Sequence, residues 1–275
     1  MADSRFAPVR FVILAQARTG SNLLCGLLNS HPEVLCHHGL FNSEGIHYAL
    51  DHRDGSFDFG SMTDRDRDPA GFLDRVWSTD LSCRAVGFKI NRAEHAAASA
   101  LVMSDAGVRK VLLRRRNRIK TYVSALIAER SRTWESYGST AFHPPTERVS
   151  VDATALKEYA AMVAEYYSSV EQALSASGQD YFCIDYECLS SPAEIGRLLK
   201  FLDVSCAGPG LSRIALTAPG FKRNPADLRD IVTNFDQLSA ELRGSGLEID
   251  LSYRDLPALS VVHAEQVSGD SMNAA

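Results

Sequence analysis

The stretch 10–28, RFVILAQARTGSNLLCGLL, constrains the fold more than any other part of the chain. Phe11 to Ala15 is a short apolar run with β-branched and aromatic side chains, the pattern of a strand covered on both faces. Gln16 to Asn22 are small or polar, and Leu23, Leu24, Leu27 and Leu28 then recur at helical spacing. The pattern predicts a buried strand, a tight polar turn and a helix opening at Ser21 or Asn22. That helix must end by Ser30, because His31 precedes Pro32 and is biased out of the helical region. Such a turn aims several unpaired backbone N–H groups at one point, which is how a helix start holds phosphate, and Arg18 adds a full charge. An ordinary cap needs one Ser, Thr or Asn. Here Thr19, Gly20, Ser21 and Asn22 follow an Arg, which favours an anion site. No Gly-Lys-Ser/Thr follows a first Gly, so the lysine and magnesium ligand of the nucleoside triphosphate loop are missing.

The rest of the chain narrows the class. Its 275 residues fit one large domain, expected over 1–258, with an aperiodic tail at 259–275 expected to be poorly ordered. A net charge of −5 argues against a general nucleic-acid or anionic-membrane surface. Apolar runs are too short to span a membrane and the N-terminus lacks a signal-peptide pattern, so a cytoplasmic protein is expected. The six cysteines contain no C-x-x-C pair and read as reduced core thiols, with neither a metal site nor a disulfide frame.

Short apolar runs near 11–15, 34–36, 85–90, 108–113 and 181–184, separated by helical patterns, predict an α/β fold: three layers around a central parallel sheet. Ligands of such sheets bind at the carboxyl ends of the strands. His37 and His38 follow the second run; a His pair there suits proton transfer, though such pairs are more often structural. Asp64 to Asp68 alternates in sign and reads as solvated loop. Lys89 interrupts an apolar strand, where a lysine either snorkels or meets an anion. Arg109, Lys110, Arg114, Arg115, Arg116, Arg118 and Lys120 put seven basic residues into twelve positions of an acidic protein. No aromatic residues interleave, so a small polyanion fits this strand-to-helix junction better than nucleic acid. Ser124, eight residues beyond Arg116, falls two turns into the next helix, where a hydroxyl commonly bonds back to a carbonyl. Leu228, Ile231, Val232, Phe235, Leu238 and Leu242 predict one amphipathic helix.

These motifs together resemble the sulfotransferases. A-R-T-G-S-N-L after the first strand is similar to their P-loop-like 5′-phosphosulfate loop, and Arg116-Asn117 with Ser124 matches their 3′-phosphate pair in order and spacing. FVILAQARTGSNLL, the stretch 38–42 and GFKI are similar to bacterial carbohydrate sulfotransferases, such as those acting on nodulation factors or trehalose glycolipids. The resemblance runs through most of residues 10–245.

The resemblance implies transfer of a sulfuryl group from 3′-phosphoadenosine-5′-phosphosulfate (PAPS) to a hydroxyl of a carbohydrate, glycolipid or small metabolite, without a metal. It places Arg18 and Thr19, Gly20, Ser21 and Asn22 on the 5′-phosphate, Arg116 and Ser124 on the 3′-phosphate, and Lys89 on the sulfuryl oxygens. Lys222, Arg223 and Asn224 match the loop that closes over the nucleotide, and residues 132–152 are a reasonable acceptor wall. The family's His-Gly-Glu-x-Phe-Asn carboxylate is absent: aligned on Phe41-Asn42, Gly39 stands at the Glu, and Glu44 lies beyond the motif. His37 is therefore the expected base, with His38 next to it. Two other classes stay open, a nucleotide kinase on a related fold and a nucleotide-binding relative that has lost catalysis; assembly into a homo-oligomer is also open. The kinase predicts a loop lysine and a magnesium ligand set, and neither is found.

Overall fold

The computed structural model describes residues 7–55, 58–132, 134, 147–205 and 227–252. Five strands, β1 (Val9–Ala15), β2 (Val34–Gly39), β3 (Ala85–Asn91), β4 (Val108–Arg114) and β5 (Tyr181–Asp185), form one sheet in the order β2-β3-β1-β4-β5. Every neighbouring pair is parallel. The α/β class and the five apolar runs read as strands are thus borne out. β1 lies at the centre, with Val12 opposite both Phe88 and Lys110.

Alternation along β1 sends its side chains to two separate cores. Phe11, Ile13 and Ala15 pack with α1 (Ser21–Asn29) and α7 (Pro192–Phe201) through Leu24, Leu27, Leu28, Leu198 and Leu199. Val12 and Leu14 face the other way. There they meet α3 (Pro69–Ser78), α4 (Ala96–Ser104) and the C-terminal half of α6 (Ala153–Ala176), through Phe72, Val76, Val102, Val170 and Leu174. Each fully buried side chain of this size contributes about 1.5–3 kcal/mol. A third core lies beyond the sheet, where α5 (Arg118–Ser131) and the first turns of α6 enclose Val149, Val151, Leu228 and Leu238.

Tyr167 on α6 fixes the carboxyl ends of the two central strands. Its hydroxyl accepts from the Gln16 N–H at 3.0 Å and donates to the Leu113 carbonyl at 2.5 Å. The mouth of the sheet between β1 and β4 is thereby held at a set width.

Three expectations need correction. The second strand does not stop at Cys36; it pairs with β3 through Gly39, with a register irregularity between His37 and Gly39. The histidines are therefore inside a strand. The alternating charges at 64–68 are not solvated loop: α2 (Met62–Arg67) opens on a reciprocal Ser61–Asp64 cap. Arg65 on that helix is 2% exposed and donates to the Leu40 and Asn42 carbonyls at 2.9 and 2.8 Å. Its guanidinium satisfies two carbonyls of the turn after β2, which is why a charge is tolerated there. Finally, 228–242 is not one helix. A 3-10 turn at Leu228–Asp230 is separated from α8 (Phe235–Glu241) because the backbone pairs elsewhere. Val149 N–H donates to Ile231 O, Thr233 N–H to Val149 O, and the Asn234 amide bonds both ways with Val151. A last helix, α9, spans Glu248–Ser252. The tail expected at 259–275 lies outside the described residues.

Replacing Arg65 by Met, of similar length, removes both carbonyl hydrogen bonds and leaves their acceptors buried. Urea unfolding is expected to show a loss of about 2–3 kcal/mol. An unchanged midpoint would mean that the 40–42 turn does not depend on Arg65.

Candidate active site

The site is built where β1 ends. Gln16 to Gly20 turn sharply, with Thr19 donating to the Gln16 carbonyl from both its N–H (3.3 Å) and its hydroxyl (2.7 Å). Two left-handed residues make the turn, Arg18 at φ 70° and Gly20 at φ 90°. Gly20 is the N-cap residue of α1, and no side chain caps the helix there. The N–H groups of the first turn are therefore not taken up by a capping side chain, and the helix dipole is aimed into the turn. Gly20 is also required by space, since a Cβ would lie 2.4 Å from the nearest ring carbon of Tyr186.

Arg18 crosses from this turn to α5. Its Nε donates to Ser124 Oγ at 3.0 Å, and its Nη1 to the Trp134 carbonyl at 2.5 Å. The two motifs read separately from the sequence, 106 residues apart, are in direct contact. Ser124 is buried, and the fold turns its hydroxyl toward the β1 turn. Arg115 supports the same turn from below, donating to the Arg18 carbonyl at 3.2 Å while stacking 4.5 Å over the Tyr186 ring.

Six of the seven basic residues divide three ways. Arg109 and Lys110 sit at the amino end of β4, away from the turn. Arg109 donates to the Phe201 carbonyl, and Lys110 to the Asp105 carbonyl at 2.6 Å and to Gln179 Oε1. Arg115 joins the β1 turn. Three alternate residues find carboxylates: Arg114 pairs with Glu171, Arg116 with Asp185 at 2.6 Å, and Arg118 with the buried Asp250 at 2.9 Å. Asn117 caps α5 through Lys120 N–H at 2.8 Å and donates to the Asp250 carbonyl at 2.9 Å, a structural role.

On the β2 side of β1, Lys89 lies on β3 opposite Ile13 and is 5% exposed. Its ammonium emerges beside Gly39, on the face that carries α1. The two adjacent histidines of β2 point to opposite faces, as strand neighbours must. His38 faces α1, its Nδ1 3.4 Å from Asn22 Oδ1. Burial, then Arg53 and Lys89 nearby, bring its pKa down to about 3, so the ring is neutral at pH 7. His37 faces the other core. It packs edge-on against Phe59 and Tyr48 at 5.4 and 5.9 Å, and its Nδ1 accepts from the Ala49 N–H at 3.2 Å. Burial, then His52, lower its pKa to about 3 as well. Only His38 of this pair shares the face of Lys89 and the α1 turn. Glu44 is exposed on the turn that follows.

Sequence reasoning passed over His47. Its ring lies against Gly39, and its N–H donates to the Gly39 carbonyl at 3.2 Å. Lys222, Arg223 and Asn224 lie outside the described residues, as does most of the acceptor wall expected at 132–152. Among the described residues no group of three or more His, Cys, Asp or Glu could hold a metal, and no helix is long and apolar enough to cross a membrane. Cys25 and Cys36 are buried thiols, whereas Cys183 is exposed.

No protein-family model matches the chain. It is 30% identical over 148 residues to nodulation protein H of Rhizobium meliloti strain 1021, a match covering 53% of this chain and 58% of that protein. A second nodulation protein H of Rhizobium meliloti is 28% identical over 251 residues, covering 86% of this chain and 93% of that one. Similar solved structures include mouse sulfotransferase SULT7A1 complexed with PAP (13% identity, TM-score 0.41, 88% of this chain and 86% of that one). The sulfotransferase domain of the curacin biosynthetic pathway is 15% identical at TM-score 0.45, over 85% and 87% of the two chains. Likenesses at these TM-scores say nothing of function.

The buried neutral histidines carry a pH signature. Their folded pKa values lie below the unfolded value of about 6.5, so the unfolded chain binds more protons between the two. Stability is therefore full above about pH 6.5 and falls as pH drops toward 3. Urea midpoints measured from pH 7 to pH 4 should fall steadily, and His37→Phe should flatten the slope. A slope unaffected by that substitution would place the titration elsewhere.

Proposed function

We propose that this chain, an enzyme of the nodulation-type sulfotransferases, transfers a sulfuryl group from PAPS to a hydroxyl of a carbohydrate or small-molecule acceptor. The observation that carries the reading is the Arg18–Ser124 contact, which joins the uncapped start of α1 to the α5 motif at the mouth of a parallel sheet. One phosphate-binding turn would suit many ligands. Two anion motifs meeting at one guanidinium suit a nucleotide phosphorylated at both its 5′ and 3′ positions.

The residues fit such a donor. The N–H groups of α1 and Arg18 would hold the 5′-phosphate, with Gly20 allowing close approach of the backbone. Ser124 would turn to the 3′-phosphate, and Arg116 would exchange the Asp185 carboxylate for it; that arginine is half-exposed and can move. Lys89 would hold the sulfuryl oxygens from the β3 side, and His38 with Asn22 would form the adjoining wall. Lys222, Arg223 and Asn224 are proposed to close over the nucleotide. The donor supplies an activated sulfur whose leaving group is a phosphate. As that phosphate gains charge, Arg18 and the helix N–H groups oppose it, stabilising the transition state more than the ground state.

Calorimetry is expected to show 3′-phosphoadenosine-5′-phosphate (PAP) binding at least tenfold more tightly than adenosine 5′-phosphate. Charge-assisted contacts to the second phosphate are worth about 1.5–3 kcal/mol, and Arg116→Ala should erase most of the difference. Arg18→Ala should lower turnover beyond any loss of donor binding, measured with labelled donor and chitotetraose or trehalose as acceptor probes. Equal affinity for the two nucleotides would remove the donor assignment. Tight PAP binding with no transfer to any hydroxylated acceptor would favour a binding protein.

A further inference from the structure

Position 39 has no side chain, and its surroundings bring together two groups that could act on one bond. A Cβ built on Gly39 would lie 3.7 Å from Lys89 Nζ and 3.7 Å from His47 Cδ2, with Asn42 Cβ at 3.3 Å. The ammonium and the imidazole thus both border the bare backbone of Gly39. The far edge of the same ring meets a second glycine: a Cβ on Gly45 would lie 3.5 Å from Cε1 and 3.6 Å from Nε2.

The turn that carries the ring is well braced. His47 N–H and Asn42 N–H both donate to the Gly39 carbonyl, at 3.2 and 3.3 Å, and Asn42 pairs with Gly45 in an antiparallel bridge. Asn42 Nδ2 reaches Glu94 Oε1 at 3.4 Å, and the buried Arg65 holds the Leu40 and Asn42 carbonyls. His47 is half-buried, whereas His38 is fully buried and His37 faces the opposite core. Of the three, His47 alone combines a place beside the Lys89 ammonium with partial exposure to an incoming ligand.

We propose that His47 is the proton acceptor of the transfer reaction, working beside Lys89. This rests on the sulfuryl-transfer reading above. In the step, the acceptor oxygen forms a bond to sulfur while the bond from sulfur to the phosphate oxygen breaks, its electron pair leaving on phosphate. The hydroxyl proton passes to a neutral ring nitrogen of His47 and from there to water, so atoms and charge balance. Lys89 offsets the negative charge on the sulfuryl oxygens.

The test compares the whole chain with its His47→Gly and His47→Gln variants. PAP affinity is read by calorimetry, and transfer from labelled PAPS uses chitotetraose or trehalose as the acceptor probe. Expected are PAP affinities within twofold of the parent and turnover lowered at least a hundredfold in both variants, the usual scale for a lost general base. Added imidazole should restore turnover at least tenfold in His47→Gly, where the vacated space admits it, and not in His47→Gln. A merely structural role would not give that rescue. Turnover within threefold of the parent, or a loss that imidazole does not restore while His38→Ala is restored, would overturn the proposal. If the parent itself binds PAP yet transfers to neither probe nor to water, the sulfuryl-transfer reading fails and the role of His47 with it.

Discussion

A guanidinium resting on a serine hydroxyl ties the molecule together at its working end. Arg18 is held in a left-handed conformation by the turn after β1, and that geometry sends its side chain across to Ser124 on α5. A non-glycine residue at positive φ is unfavourable, and it persists only where the surroundings compensate. Here the compensation is visible. Thr19 closes the turn on Gln16, Arg115 holds the Arg18 carbonyl, and Tyr167 fixes Gln16 to the end of β4. Beyond the turn itself, the partners are Arg115 after β4, Ser124 on α5 and Tyr167 on α6, so the turn is set only when the sheet, α5 and α6 are all in place. The geometry of the turn is a property of the assembled fold.

Much of that fold was legible in the residues. Short apolar runs gave the five strands, because strands covered on both faces are built mostly from apolar residues. The β1 turn was legible because Gly20 and its small polar neighbours have few other uses. What escaped was settled by tertiary contact. Arg65 sits in a run whose alternating signs read as solvated, yet two distant carbonyls draw it inside. The break between Asp230 and Phe235 follows from pairing with Val149, which helical periodicity does not register. The separation of His37 from His38 was within reach: once β2 extends to Gly39, strand alternation forces them apart. His47 was not, because a turn between Asn42 and Gly45, not a periodic element, decides where its ring lies.

The three ion pairs along Arg114, Arg116 and Arg118 have a consequence for how the junction meets a ligand. They tether β4 and the start of α5 to α6, β5 and α9 in turn, and they consume in advance the charge that the sequence displays. On the proposed reading, a phosphate arriving at Arg116 meets a cation already paired with Asp185 and competes with that carboxylate. Association there would be an exchange between two anions, with one carboxylate returned to water for each phosphate taken up. Such an exchange would favour a tetrahedral dianion, which offers more charge and more acceptor oxygens than a single carboxylate or chloride. A junction that looks in sequence like a magnet for any polyanion is, in the fold, largely paired within itself.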